Sequence, residues 1–179
     1  MTADYRFVTI WRVAGTIDEV KAVLGDAQAL PRWWPSVYLT VTTVADAGAD
    51  GTGATVDLHT TGWLPYTLRW RLRIIEPLTD SGFALSGAGD LNGIGRWTFV
   101  QDGPEVQISY DWRVSAGKPL LRRLGWLLKP AFSANHRWAM ARGEESLRLE
   151  LRRRRLAGPG GGVVPVPPPP PATFGWLSR

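Results

Sequence analysis

Apolar and polar positions alternate strictly in two stretches of the chain. Leu68, Trp70, Leu72 and Ile74 fall on one side of an extended backbone, with Arg69, Arg71 and Arg73 on the other. Val106, Ile108, Tyr110, Trp112 and Val114 repeat the pattern against Gln107, Ser109, Asp111 and Arg113. A period of two predicts strands with one apolar, aromatic face and one charged face. Turn residues recur at strand spacing at Asp46 to Gly53, Gly62 to Pro65, Pro77 to Gly82, Gly87 to Gly95 and Asp102 to Pro104, which delimits six strands from Ser36 onward. Tyr5 to Ala14, rich in β-branched and aromatic residues, predicts a further strand at the start.

Between that strand and the six, the signals are helical. Thr16 with Glu19 three residues on forms a capping box, Val20, Val23 and Leu24 give the short helix an apolar side, and Gly25 ends it. Asp26 caps a second turn through Leu30 that is expected to stop at Pro31, leaving Trp33, Trp34 and Pro35 as an aromatic corner. Two adjacent tryptophans in an extended segment face opposite ways, so one is expected inward and the other at an opening. After the last strand the period changes. Phe132, His136, Met140, Gly143, Leu147 and Leu151 share one face of a helix expected over Pro130 to Arg154, with Arg137, Glu144, Arg148 and Arg152 outside it. Glycine at the middle of this stripe leaves room either for close approach of the sheet backbone or for a ligand.

The order strand, two short helices, six antiparallel strands and one long helix predicts an α+β fold in which a curved antiparallel sheet of about seven strands wraps around the C-terminal helix. At this point the chain resembles the START-like helix-grip superfamily (SRPBCC), and within it the polyketide cyclase/dehydrase-like proteins. Three strings carry the resemblance alongside the element order: Leu30-Pro31-Arg32-Trp33-Trp34-Pro35, the run from Gly89 through Asp90, Asn92 and Gly95 to Trp97, and Asn135-His136-Arg137-Trp138-Ala139-Met140. The resemblance covers about Asp4 to Arg153 and implies a hydrophobic cavity between sheet and helix. Relatives use such a cavity to carry lipids or hormones, or to orient a polyketide for ring closure and dehydration.

Candidate ligand contacts follow from the apolar faces: Trp70, Leu72, Trp97, Phe99, Ile108 and Trp112 on strands, Phe132, Asn135, Met140 and Gly143 on the helix, and Trp33 and Trp34 at the corner. The same rings could equally fill the space as a solid core. His136 and Tyr110 are the candidate catalytic pair, because imidazole shuttles protons near neutral pH and a phenol can donate to a carbonyl or enolate oxygen. The competing readings are a buried histidine bonded to a backbone carbonyl and a core ring with its hydroxyl at the rim. Three functions are therefore open: a binder of a small hydrophobic ligand, polyketide-like or lipid; a cyclase or dehydrase; and a membrane-surface or interaction module.

Composition narrows the chemistry. The 179 residues, 44% apolar, suit one domain over 1–155 with a tail over 156–179. Absence of cysteine removes disulfides and thiolate catalysis, and two histidines cannot build a histidine metal cluster, so no metal or cofactor is expected. Asp57 and His59 share a strand face but lack a third ligand nearby. Gly87 to Gly95 joins two strands and opens no helix, so it is no phosphate loop, and Asp90 and Asn92 are expected to shape its turn. No stretch approaches the roughly 20 apolar residues of a membrane span and the N-terminus carries no leader pattern, so a cytoplasmic protein is expected.

The net charge of +5 is uneven, with +8 over residues 118–155 and −3 elsewhere. Such an element can meet nucleic acid or an anionic membrane, but a solvated helix face ending in Arg152 to Arg155 is the expected reading, with no nucleic-acid partner. Leu120 to Lys129 is short, basic and apolar with a tryptophan, as a transient membrane contact would be, or a lid leading into the helix. Beyond Ala157 glycine and proline dominate, which predicts a disordered or left-handed extended tail. Oligomeric state has no signal.

Overall fold

The computed structural model describes residues 4–116, 125–156 and 166–171. Strand β1 (Asp4–Ala14) leads into helix α1 (Ile17–Leu24), a single 3-10 turn (Ala27–Ala29) and helix α2 (Leu30–Trp33). Six strands follow: β2 (Tyr38–Ala45), β3 (Thr55–Thr61), β4 (Thr67–Thr79), β5 (Gly82–Gly89), β6 (Leu91–Asp102) and β7 (Glu105–Ala116). Helix α3 (Gly125–Leu156) closes the fold. The strands form one antiparallel sheet in the order β1-β7-β6-β5-β4-β3-β2, so every connection but the first is a hairpin. Register shifts interrupt the β2/β3 and β4/β5 pairs, and irregularities of this kind increase the local twist and bend of a sheet.

Local expectations hold where the signal is a cap. The Thr16 hydroxyl accepts from the Glu19 amide and the Glu19 carboxylate accepts from the Thr16 amide. Pro31 does not stop the chain. It occupies the first turn of α2, where its missing N–H has no partner to lose, so the helix runs on through Trp33. Helical geometry then lets both neighbours reach the interior, and Trp33 and Trp34 are 1% and 4% exposed. The expectation of one inward ring and one outward ring assumed extended backbone and fails for that reason. Helix α3 starts at Gly125, a turn earlier than the stripe indicated, with Pro130 inside it.

Strands β5 and β6 are joined at Asp90 alone, and Gly87 pairs with Gly93 inside the ladder, so the glycine-rich run is mostly strand. Its glycines make room for neighbouring rings. A methyl at Gly95 would lie 2.6 Å from the Tyr110 hydroxyl, and one at Gly87 would lie 3.1 Å from the Trp112 ring. Asp90 accepts from the Arg69 amide, and Asn92 bonds both amide and carbonyl of Gly89, which closes the turn as expected.

The inner face divides along its length. At one end Trp11, Val13, Ile108, Val106, Trp97 and Phe99 pack under α1, α2 and the C-terminal half of α3, where Leu147 and Leu151 sit. Each such buried side chain contributes roughly 1.5–3 kcal/mol. At the other end, under Phe132 to Met140, packing is incomplete. The outer face carries exposed ion pairs, Arg71 with Asp57 and Asp111 with both Arg6 and Arg113, each worth little in water.

Helix α3 is also anchored by polar contacts. Glu144 accepts from the main-chain amide of Arg12, and Arg148 donates to its carbonyl, so the exposed edge of β1 is capped there by side chains. Arg155 reaches Glu19 and the Ala14 carbonyl, and Arg154 reaches the Ala22 carbonyl. Glu150, 4% exposed, accepts from Arg32, Arg153 and Arg154. The arginine run expected to be a solvated face is thus largely a set of tethers, because its residues point back over α1, α2 and β1. Leu120 to Leu124, and the side chains of 125–129, lie outside the described residues.

Candidate functional site

A cavity of ≈ 170 Å³ opens between the unfilled end of the sheet and the N-terminal half of α3. Strand parity sets its floor: Tyr5 and Phe7 of β1, Leu68 and Trp70 of β4, and Tyr110, Trp112 and Val114 of β7 all face it. Helix α3 contributes Phe132, Asn135, His136, Ala139 and Met140, and the segment after α2 contributes Trp34, Val37 and Tyr38. Thr60, Thr61 and Tyr66, flanking and within the β3–β4 connection, complete one side.

Of the residues singled out by sequence, His136, Tyr110, Trp34, Trp70 and Trp112 line this cavity, with Phe132, Asn135 and Met140. Leu72, Trp97, Phe99 and Ile108 share the inner face but lie at the packed end, outside the cavity wall. Trp33 packs instead in a groove with Ser146, Leu149 and Glu150 of α3 and with Val166 and Pro167 of the tail. Gly143 meets neither sheet backbone nor open space. The Trp34 indole covers it, and a methyl there would lie 2.6 Å from Trp34 Cη2. Strand parity identifies a face and says nothing of distance along it, which is why it groups the four strand residues with the lining. Tyr5 and Phe7 were missed although they share parity with Trp11 and Val13. Tyr38 and Tyr66 carried no periodic signal.

His136 stacks on Phe7, with ring centroids 4.1 Å apart and planes at 19°. Its Nε2 is buried and finds no hydrogen-bond partner among the described residues. Burial, reinforced by the nearby Arg137 charge, pushes its pKa down to about 4, so the ring is neutral at pH 7. Tyr110 lies between Trp97, at 4.1 Å, and Trp112, at 5.9 Å. Burial, with Tyr38 nearby, raises its phenol well above the ordinary value. Tyr38 is raised by burial, and Tyr66 is pushed up to about 12 by burial and the neighbouring Tyr5.

Asn135 has a structural task. Its Oδ1 accepts from the amides of Trp63 and Leu64 at 2.9 and 3.3 Å, which fastens the β3–β4 connection to α3 beside the cavity. Tyr66, carried by that connection, meets Phe132 edge-on at 6.3 Å. His59 and Asp57 lie on the outer side of β3, away from the cavity, and among the described residues no three histidine, aspartate or glutamate side chains converge as a metal site would need. No helix among the described residues is long and apolar enough to cross a membrane.

A seven-stranded sheet gripping a long C-terminal helix, with an aromatic cavity between them, defines a START-like helix-grip protein. The chain belongs to the family described as polyketide cyclase / dehydrase and lipid transport, which it matches over residues 7–152. No curated protein matches the sequence at a significant level. Among solved structures, the ZhuI aromatase/cyclase from Streptomyces sp. R1128 superposes with a TM-score of 0.65 at 16% identity, over 89% of this chain and 99% of that one. A protein from Thermus thermophilus gives 0.63 at 18% identity, over 87% of this chain and 99% of that one. A START superfamily protein from Mycobacterium smegmatis gives 0.53 at 18% identity, over 76% and 98%. At these identities the likeness is one of fold.

Proposed function

We propose that this protein binds a small hydrophobic ligand in the cavity between the sheet and α3 and acts as a binder or carrier rather than a catalyst. One observation supports this above others: the paired candidates for proton transfer are both tuned away from it. A general base works best with a pKa near the operating pH, and His136 lies near 4. The Tyr110 phenol, raised well above its ordinary value, donates a hydrogen bond far more readily than a proton. Trp34, Trp70, Trp112, Phe132 and Met140 then serve as contact surface, suited to flat or conjugated molecules.

The cyclase or dehydrase reading keeps one point in its favour, since His136 and Tyr110 open on the same cavity. Native and then denaturing mass spectrometry of freshly purified protein tests the proposal. A small apolar molecule that travels with the fold and is released on unfolding is the expected result. A clean unliganded mass, together with no uptake of added aromatic probes, would refute it. Turnover of a released polyketide-like compound that is lost in Tyr110→Phe would move the assignment to the enzyme.

A further inference from the structure

The sequence places tyrosine at only four positions, 5, 38, 66 and 110, and all four side chains line this cavity. They come from β1, β2, the β3–β4 connection and β7, so only the fold assembles them. The hydroxyls of Tyr38, Tyr66 and Tyr110 make no hydrogen bond to any described residue. A phenol is both donor and acceptor, so each of these hydroxyls offers a ligand oxygen two kinds of hydrogen bond. Elsewhere in the wall Asn135 Oδ1 is engaged by two main-chain amides and Thr60 Oγ1 by the Trp70 indole, while His136 Nε2 and Trp34 Nε1 are buried without a partner among the described residues.

Charge is missing from the same wall. No Lys, Arg, Asp or Glu is among its described residues. His136, the described side chain there able to become a cation, is kept neutral by burial and by Arg137 beside it. A carboxylate entering this space would lose its water and gain no counter-ion. We infer, on the reading that the cavity holds a ligand, that its occupant is an uncharged ring compound carrying hydroxyl or carbonyl oxygens that bond to the tyrosine hydroxyls, and that anionic lipids such as ionised fatty acids are excluded. Flat rings meet the Trp34, Trp70 and Trp112 faces, and the oxygens give the unpartnered phenols their partners.

The test compares three probes of one shape, 2-naphthol, naphthalene and 2-naphthoate, titrated into the full chain at pH 7 and followed by calorimetry and by tryptophan fluorescence. Naphthol is expected to bind about 3- to 10-fold more tightly than naphthalene, the value of a hydrogen bond to a waiting partner. Naphthoate is expected to bind at least about tenfold more weakly than naphthol. Tyr38→Phe and Tyr110→Phe keep the ring and remove the hydroxyl, so they should bring naphthol toward naphthalene and leave naphthalene unchanged. Naphthoate binding as well as naphthol, or naphthol no better than naphthalene, would overturn the inference while the cavity still holds a ligand. Binding of all three that survives filling the cavity by Ala139→Phe, or binding of none, would instead overturn the reading on which it rests. Should Ala139→Phe fail to fold, quenching confined to the tryptophans of the wall, read in Trp70→Phe and Trp112→Phe, decides where the probes sit.

Discussion

Replacing Glu150 by Gln removes one charge from a buried cluster of one carboxylate and three arginines and leaves its shape unchanged. The carboxylate accepts five hydrogen bonds of 2.6–3.0 Å, two from Arg32 of α2, two from Arg153 and one from Arg154. Its side chain is 3% exposed, whereas the three guanidiniums keep between 31% and 47%. Breaking a buried pair costs roughly 3–5 kcal/mol, and because the cations are half in water the expected loss here is about 2–3 kcal/mol. For a chain of this size that lowers Tm by about 5–10 °C.

The same contact sets a pH dependence. Burial alone would raise the Glu150 carboxyl, but the hydrogen bonds from Arg153, Arg32 and Arg154 overcome it and hold the pKa down to about 2 from an ordinary 4.5. A carboxyl lowered on folding stabilises the native state above its unfolded value, and that stability is lost as pH falls toward the folded value. The shift sets a ceiling of about 3 kcal/mol, present above about pH 5 and fading between about pH 4.5 and 2. Urea unfolding of wild type and Glu150→Gln at pH 7 and pH 3 reads this directly. The difference between the two proteins should shrink at pH 3. A variant within about 0.5 kcal/mol of wild type at pH 7, or an equal difference at both pH values, would refute the reasoning.

Gly143→Ala should destabilise by about 1–2 kcal/mol in thermal melts despite the better helix propensity of alanine, because the added methyl meets the buried Trp34 ring; an unchanged or raised Tm would show that Trp34 can yield. Asn135→Ala should raise amide exchange and proteolysis over Gly62 to Tyr66 at a global cost of about 1 kcal/mol, while Asn135→Asp, which keeps the acceptor, should protect that segment; equal protection in the two variants would remove the fastening role. In an NMR titration of the imidazole carbon-bound protons, His136 should stay neutral as pH falls through 6 and 5 and titrate near 4, and a midpoint near 6.5 would show that its ring is solvated.

Local periodicity makes much of this fold legible. Alternation at 68–74 and 106–114 fixes which side of each strand faces inward, and the 3.6-residue stripe places Phe132, His136 and Met140 on the face that looks into the cavity. The Thr16–Glu19 box and the bonds of Asn92 to Gly89 depend only on neighbours in sequence, so their chemistry is readable without a fold. These are the properties that a few consecutive residues determine by themselves: face, period, cap and turn.

What the tertiary structure alone decides is where along a face packing stops. Ile108 and Tyr110 have the same parity on one strand, yet one is sealed in core and the other walls a cavity, because α1, α2 and Trp34 crowd one end of the sheet and leave the other open. Gly143 is read as either backbone contact or ligand space from sequence, and a ring from more than a hundred residues earlier takes the place of both. Arg154 and Arg155 likewise become tethers only because α1 and β1 lie beneath them. Four tyrosines separated by tens of residues meet at one cavity for the same reason. Such facts depend on contacts between distant segments, and no local pattern contains them.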